Sequence, residues 1–310
     1  MIESSDIRAA AARVSGRVRR TPVMAAEPLG GGARTWLKLE QTQHTGSFKA
    51  RGAFNRVLAA AESGTLPAAG VVTASGGNAG LAVAYAAAEV GVVAEVYVPE
   101  TAPAVKVARL RALGAQVVQV GSRYAEAFEA AAKRSADTGA LFCHAYDQPE
   151  ICAGQGTLGL ELLEQTSGQV DTVVLAVGGG GLMAGVAAAV QGRATVVGVE
   201  PEAIPTLHRA LEAGAPVDVG VSGVAADSLG ASRLGEIAFE VAVRTGVRSV
   251  LVSDEAIVEA RRWLWERYRL LVEHAAATAV AALRTGAYRP APDERVAVVL
   301  CGANTDPASL

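Results

Sequence analysis

Several features that mark other protein classes are scarce in this chain of 310 residues. It has three cysteines, Cys143, Cys152 and Cys301, and no CxxC pair, which argues against a disulfide framework and fits a reducing compartment. The four histidines are scattered, and none is spaced from a His or Cys as metal ligands are. Lys and Arg number 28 against 31 Asp and Glu, so the chain lacks the positive surplus that nucleic-acid binding needs. We expect a cytoplasmic protein with no nucleic-acid partner.

The chain also lacks an unbroken apolar run of membrane-spanning length. Residues 173–190 carry no charge, but four consecutive glycines lie in their middle. Each interior glycine costs a helix about 1 kcal/mol relative to alanine, so this stretch is predicted as strand, glycine loop and helix. The N-terminus mixes arginines with Glu3 and Asp6 and has no apolar segment, so we expect neither a signal peptide nor a membrane partner.

What the chain does have is a regular alternation of short Val-rich runs and Ala-rich helical segments. Continuous apolar runs without polar alternation are typical of parallel strands covered on both faces. The predicted strands are 35–39, 71–73, 94–98, 116–120, 141–144, 172–177, 195–199, 249–252 and 296–300, and the predicted helices include 81–90, 105–113, 124–138, 182–191 and one capped by Ser253. The pattern predicts an α/β protein with mainly parallel twisted sheets flanked by helices.

Two glycine-rich loops follow predicted strands, where ligands bind in open α/β sheets. The first is the tetraglycine loop, Gly178, Gly179, Gly180 and Gly181, whose backbone N–H groups could converge on a phosphate at the start of the next helix. The alternative is a flexible turn. The second runs from Ser75 to Gly80 and offers hydroxyl, amide and N–H groups suited to a substrate carboxylate, although Ser and Asn also cap helices without binding anything.

Lys49 is the candidate nucleophile. Ser47 is predicted to cap a helix, which puts Lys49 in the first helical turn, where the helix dipole disfavours a cation. Burial would disfavour the charged form further, and a neutral lysine can form a Schiff base. Taken alone, this residue is better explained as an ordinary exposed surface lysine.

Together these segments resemble the serine/threonine dehydratases that depend on pyridoxal 5'-phosphate (PLP). The resemblance rests on ordered motifs across nearly the whole chain, namely Lys38-Leu39-Glu40, the Thr45–Gly52 segment, Ala153-Gly154-Gln155-Gly156-Thr157, the tetraglycine loop, Gly198-Val199-Glu200-Pro201 and Cys301-Gly302-Ala303-Asn304. It implies the fold of the tryptophan synthase β subunit, called fold type II, and is closest to the serine-dehydratase branch.

The resemblance implies a role for each matching position. Lys49 would bind PLP covalently and take the α-proton of the substrate. The other cofactor-binding residues would be Phe48, Asn78, Gly178, Gly179, Gly180, Gly181, Leu182 and Cys301, with Cys301 at the pyridine nitrogen. The substrate would contact Ser75, Gly76, Gly77, Asn78, Ala79, Gln155 and Gly156.

The resemblance also implies the architecture. A large PLP-binding domain would combine residues 1–39 with 146–310. A small mobile domain would comprise residues 40–145, with PLP in the cleft between the two. The relatives commonly form homodimers, and we expect one here.

The expected reaction is β-elimination from L-serine or L-threonine, which releases a 2-oxo acid and ammonia. The alternatives are a dehydratase of 3-hydroxyaspartate or phenylserine, threonine synthase, a racemase, and a PLP-binding protein without catalysis. Gly76 stands where racemases of the family carry an acid/base serine, so racemisation should be poor. No extra cation for a second substrate carboxylate stands out in the motifs. Glu200 is a candidate ligand of a monovalent cation, K⁺, and the alternative is a structural carboxylate at a strand end.

Overall fold

A computed structural model describes residues 2–29 and 32–310. The helices are α1 Ser4–Val14, α2 Lys49–Glu62, α3 Asn78–Val90, α4 Ala104–Ala112, α5 Tyr124–Thr138, α6 Pro149–Gln165, α7 Gly181–Val190, α8 Thr206–Ala213, α9 Ala226–Leu229, α10 Glu236–Thr245, α11 Asp254–Tyr268 and α12 His274–Thr285. The strands are β1 Val23–Ala26, β2 Arg34–Lys38, β3 Val71–Ala74, β4 Ala94–Val98, β5 Gln116–Gln119, β6 Leu141–Phe142, β7 Thr172–Ala176, β8 Thr195–Pro201, β9 Arg248–Val252 and β10 Arg295–Val299. No helix in the described ranges is long and apolar enough to cross a membrane.

The strands form two sheets. Six strands pair in the order β1-β2-β10-β7-β8-β9, and four pair in the order β5-β4-β3-β6. Every pairing is parallel except that of β1 with β2. All four strands of the smaller sheet fall within residues 40–145, and all six strands of the larger sheet fall outside that range. The predicted α/β class with mainly parallel sheets is confirmed.

The central strands are apolar because helices cover both of their faces. Every residue of β7 is buried, as are the last six of β8 and the last four of β10. Parallel strands need such cover, which explains the Val-rich runs without polar alternation. Residues 173–190 form β7, the glycine loop and α7, as predicted.

Two local predictions are corrected. Strand β1 was not predicted, because its sequence VMAA is short and its residues are only partly buried or exposed. Ser47 does not cap α2: the cap position is Phe48, and the Ser47 hydroxyl has no hydrogen-bond partner within the described part of the chain. Lys49 nevertheless begins the helix. Ser253 does cap α11, since its side chain accepts a hydrogen bond from the Ala256 N–H.

Close helix packing fixes the position of α7. A Cβ added to Gly185 would lie 2.2 Å from the Cys152 carbonyl oxygen, and one on Gly156 would lie 2.5 Å from the Gly185 carbonyl oxygen. Both distances are shorter than the contacts that real Cβ atoms make, so neither position can hold a side chain. Helices α6 and α7 therefore pack backbone against backbone. The N-terminus of α7 is thereby held rigidly beside the end of β7.

Candidate active site

A cavity of about 510 Å³ opens between the carboxyl ends of the two sheets. From the smaller sheet it is lined by the loop after β3 and by side chains of α4 and α5. From the larger sheet it is lined by the tetraglycine loop, residues 226–232, Glu273, Cys301 and Asn304. Lys49 and Phe48 complete the wall. Loops that are far apart in the sequence thus meet where parallel sheets commonly bind ligands.

Lys49 is held against the end of β10 by backbone contacts. Ser47 forms an antiparallel bridge with Gly302, and the Phe48 N–H donates a 3.0 Å hydrogen bond to the Cys301 carbonyl. The Lys49 Nζ donates to the Ala145 carbonyl at 2.6 Å and lies 5.0 Å from the centre of the Phe48 ring. Burial lowers the pKa of Lys49 to about 8. No carboxylate in the described ranges forms an ion pair with it, so a fraction of this lysine is the neutral nucleophile at neutral pH.

The tetraglycine loop requires glycine for steric reasons. A Cβ on Gly179 would lie 2.3 Å from the Tyr146 ring, and one on Gly181 would lie 2.5 Å from the Tyr146 carbonyl oxygen. Gly180 has a φ of 85°, in the left-handed region that side chains disfavour. Gly181 then begins α7, whose first N–H groups have no partner within the helix. This arrangement is suited to a phosphate at the positive end of the helix dipole.

The loop after β3 presents a second helix N-terminus to the same cavity. Ser75, Gly76, Gly77, Asn78 and Ala79 all line it, and α3 begins at Asn78. The Ser75 hydroxyl accepts a hydrogen bond from the Gly77 N–H at 3.2 Å. The free N–H groups at this helix start can bind a carboxylate, as the sequence indicated.

A chain of polar side chains crosses the cavity from one sheet to the other. The Asn78 amide donates to Glu273 Oε1 at 2.8 Å, and the Asn304 amide donates to Asn78 Oδ1 at 2.6 Å. Arg109 of α4 donates to Asn304 Oδ1. Burial raises the pKa of Glu273 to about 7. The hydrogen bond that Glu273 accepts from Asn78 lowers this pKa, but by less than burial raises it. Glu273 can therefore hold a proton at neutral pH.

Cys301 and Leu182 line the cavity as predicted positions of the cofactor site. The Cys301 thiol is 2% exposed, and burial raises its pKa well above the usual range. It is therefore a neutral thiol rather than a thiolate. A neutral group beside a pyridine nitrogen would not hold that nitrogen protonated.

A buried ion-pair network lies next to Lys49, at the start of α2 and outside the cavity lining. Arg51, two residues further along α2, makes two hydrogen bonds of 2.8 Å to the Glu40 carboxylate and lies 2.9 Å from Glu161. Lys38 donates to Glu161 at 2.7 Å and to the Thr21 carbonyl at 2.9 Å. The motif residues Lys38 and Glu40 thus anchor the first turn of α2 to the larger sheet and to α6.

Three predicted site residues lie away from the cavity. Gln155 and Gly156 are buried within α6 and are absent from the cavity lining. Gly156 packs against α7, and Gln155 Oε1 lies behind the cavity wall, 2.9 Å from where a Cβ on Gly181 would stand. The Glu200 carboxylate accepts hydrogen bonds from the N–H groups of Leu207 and His208 at 2.6 and 2.9 Å, so it caps α8. Burial raises its pKa to about 7. These contacts favour the structural alternative for Glu200, and residues 2–29 and 32–310 contain no cluster of His, Cys, Asp and Glu that could hold a metal ion.

Three residues that line the cavity were not predicted as site residues from the sequence. Glu273 directly precedes α12, and that position is the one local signal that could have given it a role. Tyr146 packs on the tetraglycine loop, and Arg109 reaches Asn304 from a position 195 residues earlier. Neither of these two carries a local sequence signal, because only the packing of α4 and of the segment after β6 brings them to the site.

The residues present fit PLP. The cavity combines a lysine with a lowered pKa, a tetraglycine loop in which Gly179 and Gly181 leave no room for a side chain, the Asn78 amide and the neutral Cys301 thiol. Lys49 would bind the aldehyde carbon, and the N-terminus of α7 would bind the phosphate. Phe48, Leu182 and Cys301 would surround the ring.

Comparison with known proteins gives a consistent picture. The model of the family described as pyridoxal-phosphate dependent enzyme matches residues 14–302. A phenylserine dehydratase of Ralstonia pickettii is 41% identical over 96% of this chain and 92% of its own length. An L-threonine ammonia-lyase of Thermotoga maritima is 36% identical over 99% of this chain and 76% of its own length. The solved structure of maize serine racemase has a TM-score of 0.92, with 30% identity over 99% of this chain and 95% of that chain.

Proposed function

The chain belongs to the family of pyridoxal-phosphate-dependent enzymes, among its ammonia-lyases and dehydratases, and from that premise we propose that it dehydrates and deaminates a β-hydroxy-α-amino acid. L-Serine and L-threonine are the simplest substrates of this reaction. The products are a 2-oxo acid, pyruvate or 2-oxobutanoate, and ammonia.

The observation that carries this proposal is the convergence of Lys49 with two helix N-termini on one cavity. Lys49 has a pKa of about 8, so it can accept a proton and return it near neutral pH. One helix start, at α7, is available for the cofactor phosphate, and the other, at α3, for the substrate carboxylate.

When bound, PLP withdraws electrons from the α-carbon of the substrate, which makes loss of the α-proton and of the β-hydroxyl accessible. Lys49, which would hold the cofactor, would also take the proton from the α-carbon of the substrate. Ser75 and the free N–H groups at the start of α3 would orient the α-carboxylate. Glu273, through its hydrogen bond from Asn78, holds that amide at the edge of the site. Cys301, as a neutral thiol, favours prompt elimination over a long-lived carbanion.

The identity of the β-substituent is left open by these relatives, since one is named for phenylserine and another for threonine. Gly76 supports a lyase over a racemase, because glycine has no group that can give a proton to the opposite face of the α-carbon. A non-catalytic PLP-binding protein is the alternative from another class. The cavity contains both a nucleophilic lysine and a loop suited to the substrate carboxylate. This combination argues against a protein that only binds PLP, because cofactor binding alone does not need the substrate loop.

The test is release of 2-oxo acid by the PLP-loaded protein from L-serine, L-threonine, L-threo-phenylserine, L-threo-3-hydroxyaspartate and D-serine, each assayed separately. We expect release from at least one L-β-hydroxy amino acid and little or none from D-serine. No release from any of them, with PLP bound, would overturn the proposed activity. K⁺ is included in one series and omitted from another, and unchanged rates would leave the cation without a role.

A further inference from the structure

The cavity contains a cation that the reaction just proposed does not use. Lys106 and Arg109 lie three residues apart on α4 and both line the cavity. Lys106 forms an ion pair with Asp227 on the opposite side. Arg109 donates to the neutral amide oxygen of Asn304, and among residues 2–29 and 32–310 no carboxylate lies within ion-pair distance of it. No carboxylate of the described residues therefore neutralises its positive charge at the mouth of the cavity.

The partner of Arg109 is fixed by other contacts. The Asn304 amide donates to the Thr45 carbonyl at 2.7 Å and to Asn78 at 2.6 Å, and its backbone N–H donates to Glu273 at 3.2 Å. The guanidinium consequently lies against a rigid group next to the residue that begins α3. Because a guanidinium has five N–H donors, most of them remain available to a ligand.

We propose that Arg109 binds a second anionic group on the substrate, so that the preferred substrates are β-hydroxy-α-amino dicarboxylic acids. This inference rests on the proposed function, since it names the β-substituent of the same reaction. The α-carboxylate occupies the N-terminus of α3, and a carboxylate on the β-carbon reaches the guanidinium of α4 across the cavity. A planar carboxylate can accept two parallel N–H bonds from arginine, which a methyl or phenyl group cannot do.

The cavity also contains features that favour a different substituent. Tyr124 and Tyr146 line it, and each contacts further aromatic rings, Phe128 at 6.1 Å and His144 at 4.6 Å between centroids. An aromatic β-substituent could pack against them. We favour the anionic group because an unbalanced charge attracts an opposite one specifically, whereas apolar wall residues accept many shapes.

The first arm of the test measures binding without turnover. The PLP-loaded protein is titrated with L-aspartate and with L-asparagine, which have nearly the same shape and no β-hydroxyl, and the change in cofactor absorbance gives each Kd. We expect aspartate to bind about ten- to hundredfold more tightly, and Arg109→Gln to remove most of that difference. The preference should also weaken as ionic strength rises, because Arg109 is exposed at the mouth of the cavity. Equal binding of the two ligands by the unaltered protein would overturn the inference.

The second arm measures kcat/KM for L-threo-3-hydroxyaspartate, L-threonine and L-threo-phenylserine. Arg109→Gln should lower the value for hydroxyaspartate at least about tenfold more than the value for threonine. The matched control is Arg111→Gln, on the same helix turn, exposed and outside the cavity lining, which should change neither value. Equal losses for both substrates would make Arg109 a structural residue, and a preference for phenylserine would assign the pocket to the aromatic wall. If no substrate yields a 2-oxo acid while the aspartate preference holds, the proposed function fails and the anion site stands.

Discussion

Lys49 and Arg51 lie two residues apart on one helix, and burial affects them in opposite ways. Arg51 contacts the Glu40 carboxylate through two hydrogen bonds, and this raises its pKa above the usual range. Lys49 contacts only a carbonyl oxygen, and burial lowers its pKa to about 8. Removal from water disfavours any charge, so the partner decides which group stays ionised.

The two buried glutamates show the same contrast. Glu40 lies beside Arg51 and Lys38, which hold its pKa below the ordinary value despite complete burial. Glu273 has an amide and a backbone N–H as partners, and burial raises its pKa to about 7. On one side of α2, the network of Arg51, Glu40 and Lys38 stays fully charged and forms a charged support. On the other side, the pKa values of the cavity's base and acid both lie near neutral pH. Groups that titrate near neutral pH are the ones able to move protons.

The largest effect on turnover is expected from removal of the proposed base, Lys49. Lys49→Ala should lower the kcat for 2-oxo acid release by about a thousandfold or more, because it removes the proposed base and Lys106, which also lines the cavity, is paired with Asp227. Lys133→Ala, which removes an exposed pair with Asp137, is the matched control and should keep full activity. Retained turnover in Lys49→Ala would remove this residue from the mechanism.

Removal of Arg51 should break the charged support. Arg51→Met leaves Glu40 and Glu161 without their shared cation in a buried setting, and we expect a loss of about 3–5 kcal/mol in the free energy of unfolding. Urea unfolding at neutral pH measures it. Arg20→Met, which breaks the exposed pair with Glu164, should cost less than about 1 kcal/mol. Similar small losses in both variants would contradict the contrast between the two sides of α2.

Glu273 should make stability depend on pH. Its folded-state pKa is raised from 4.5 to about 7, so the folded state binds the proton more tightly than the unfolded state. Its contribution is fully present below pH 4.5 and is lost as the pH rises through about 7, a change of about 3 kcal/mol. In urea unfolding of the protein freed of PLP, Glu273→Gln should remove this dependence, and Glu129→Gln on an exposed face should not. A constant difference between wild type and Glu273→Gln from pH 4.5 to 8 would refute the assignment.

Cys301→Asp should change the fate of the substrate carbanion more than the rate of its formation. A carboxylate beside the pyridine nitrogen favours the protonated ring, which stabilises the carbanion and allows α-proton exchange or transamination. We expect the ratio of these side reactions to 2-oxo acid release to rise several-fold. Cys301→Ser, which keeps a neutral group, should leave the ratio near that of wild type. An unchanged ratio in Cys301→Asp would remove the thiol from control of the reaction.

The smallest effect expected is a gained activity at Gly76. A Cβ added there would meet only Val98 Cγ1, at 3.5 Å, so a serine fits without displacing its neighbours. Gly76→Ser should introduce slow racemisation of L-serine, detected as D-serine by chiral chromatography. Gly77→Ser, which also has space for a side chain, tests whether the position matters. D-Serine formation by both variants or by neither would contradict a specific role for position 76.

Much of this site was accessible from the sequence, and the reasons are physical. The buried strands could be predicted because both faces need apolar residues, and the tetraglycine loop because only glycine permits such backbone contact. Lys49 was identified by the resemblance of the Thr45–Gly52 segment to the dehydratase motif, because its predicted place at a helix start did not by itself distinguish it from an ordinary exposed lysine. Arg109 could not be found, because its relation to Asn304 depends on how α4 packs across the cleft. The cap that Glu200 provides to α8 and the use of Gly156 in helix packing likewise arise only from tertiary contacts.

The central prediction is that burial brings the pKa of Lys49 to about 8, so that a fraction of it is uncharged at neutral pH, while its neighbour Arg51 remains charged. The most direct measurement is the rate at which Lys49 is acetylated by acetic anhydride in the protein freed of PLP, followed by mass spectrometry of the labelled peptide over a range of pH. Labelling of the exposed Lys133 in the same sample is the internal reference. We expect a midpoint near pH 8 for Lys49, well below the ordinary lysine value of 10.5. A midpoint for Lys49 near 10.5, equal to that of an ordinary lysine, would contradict it.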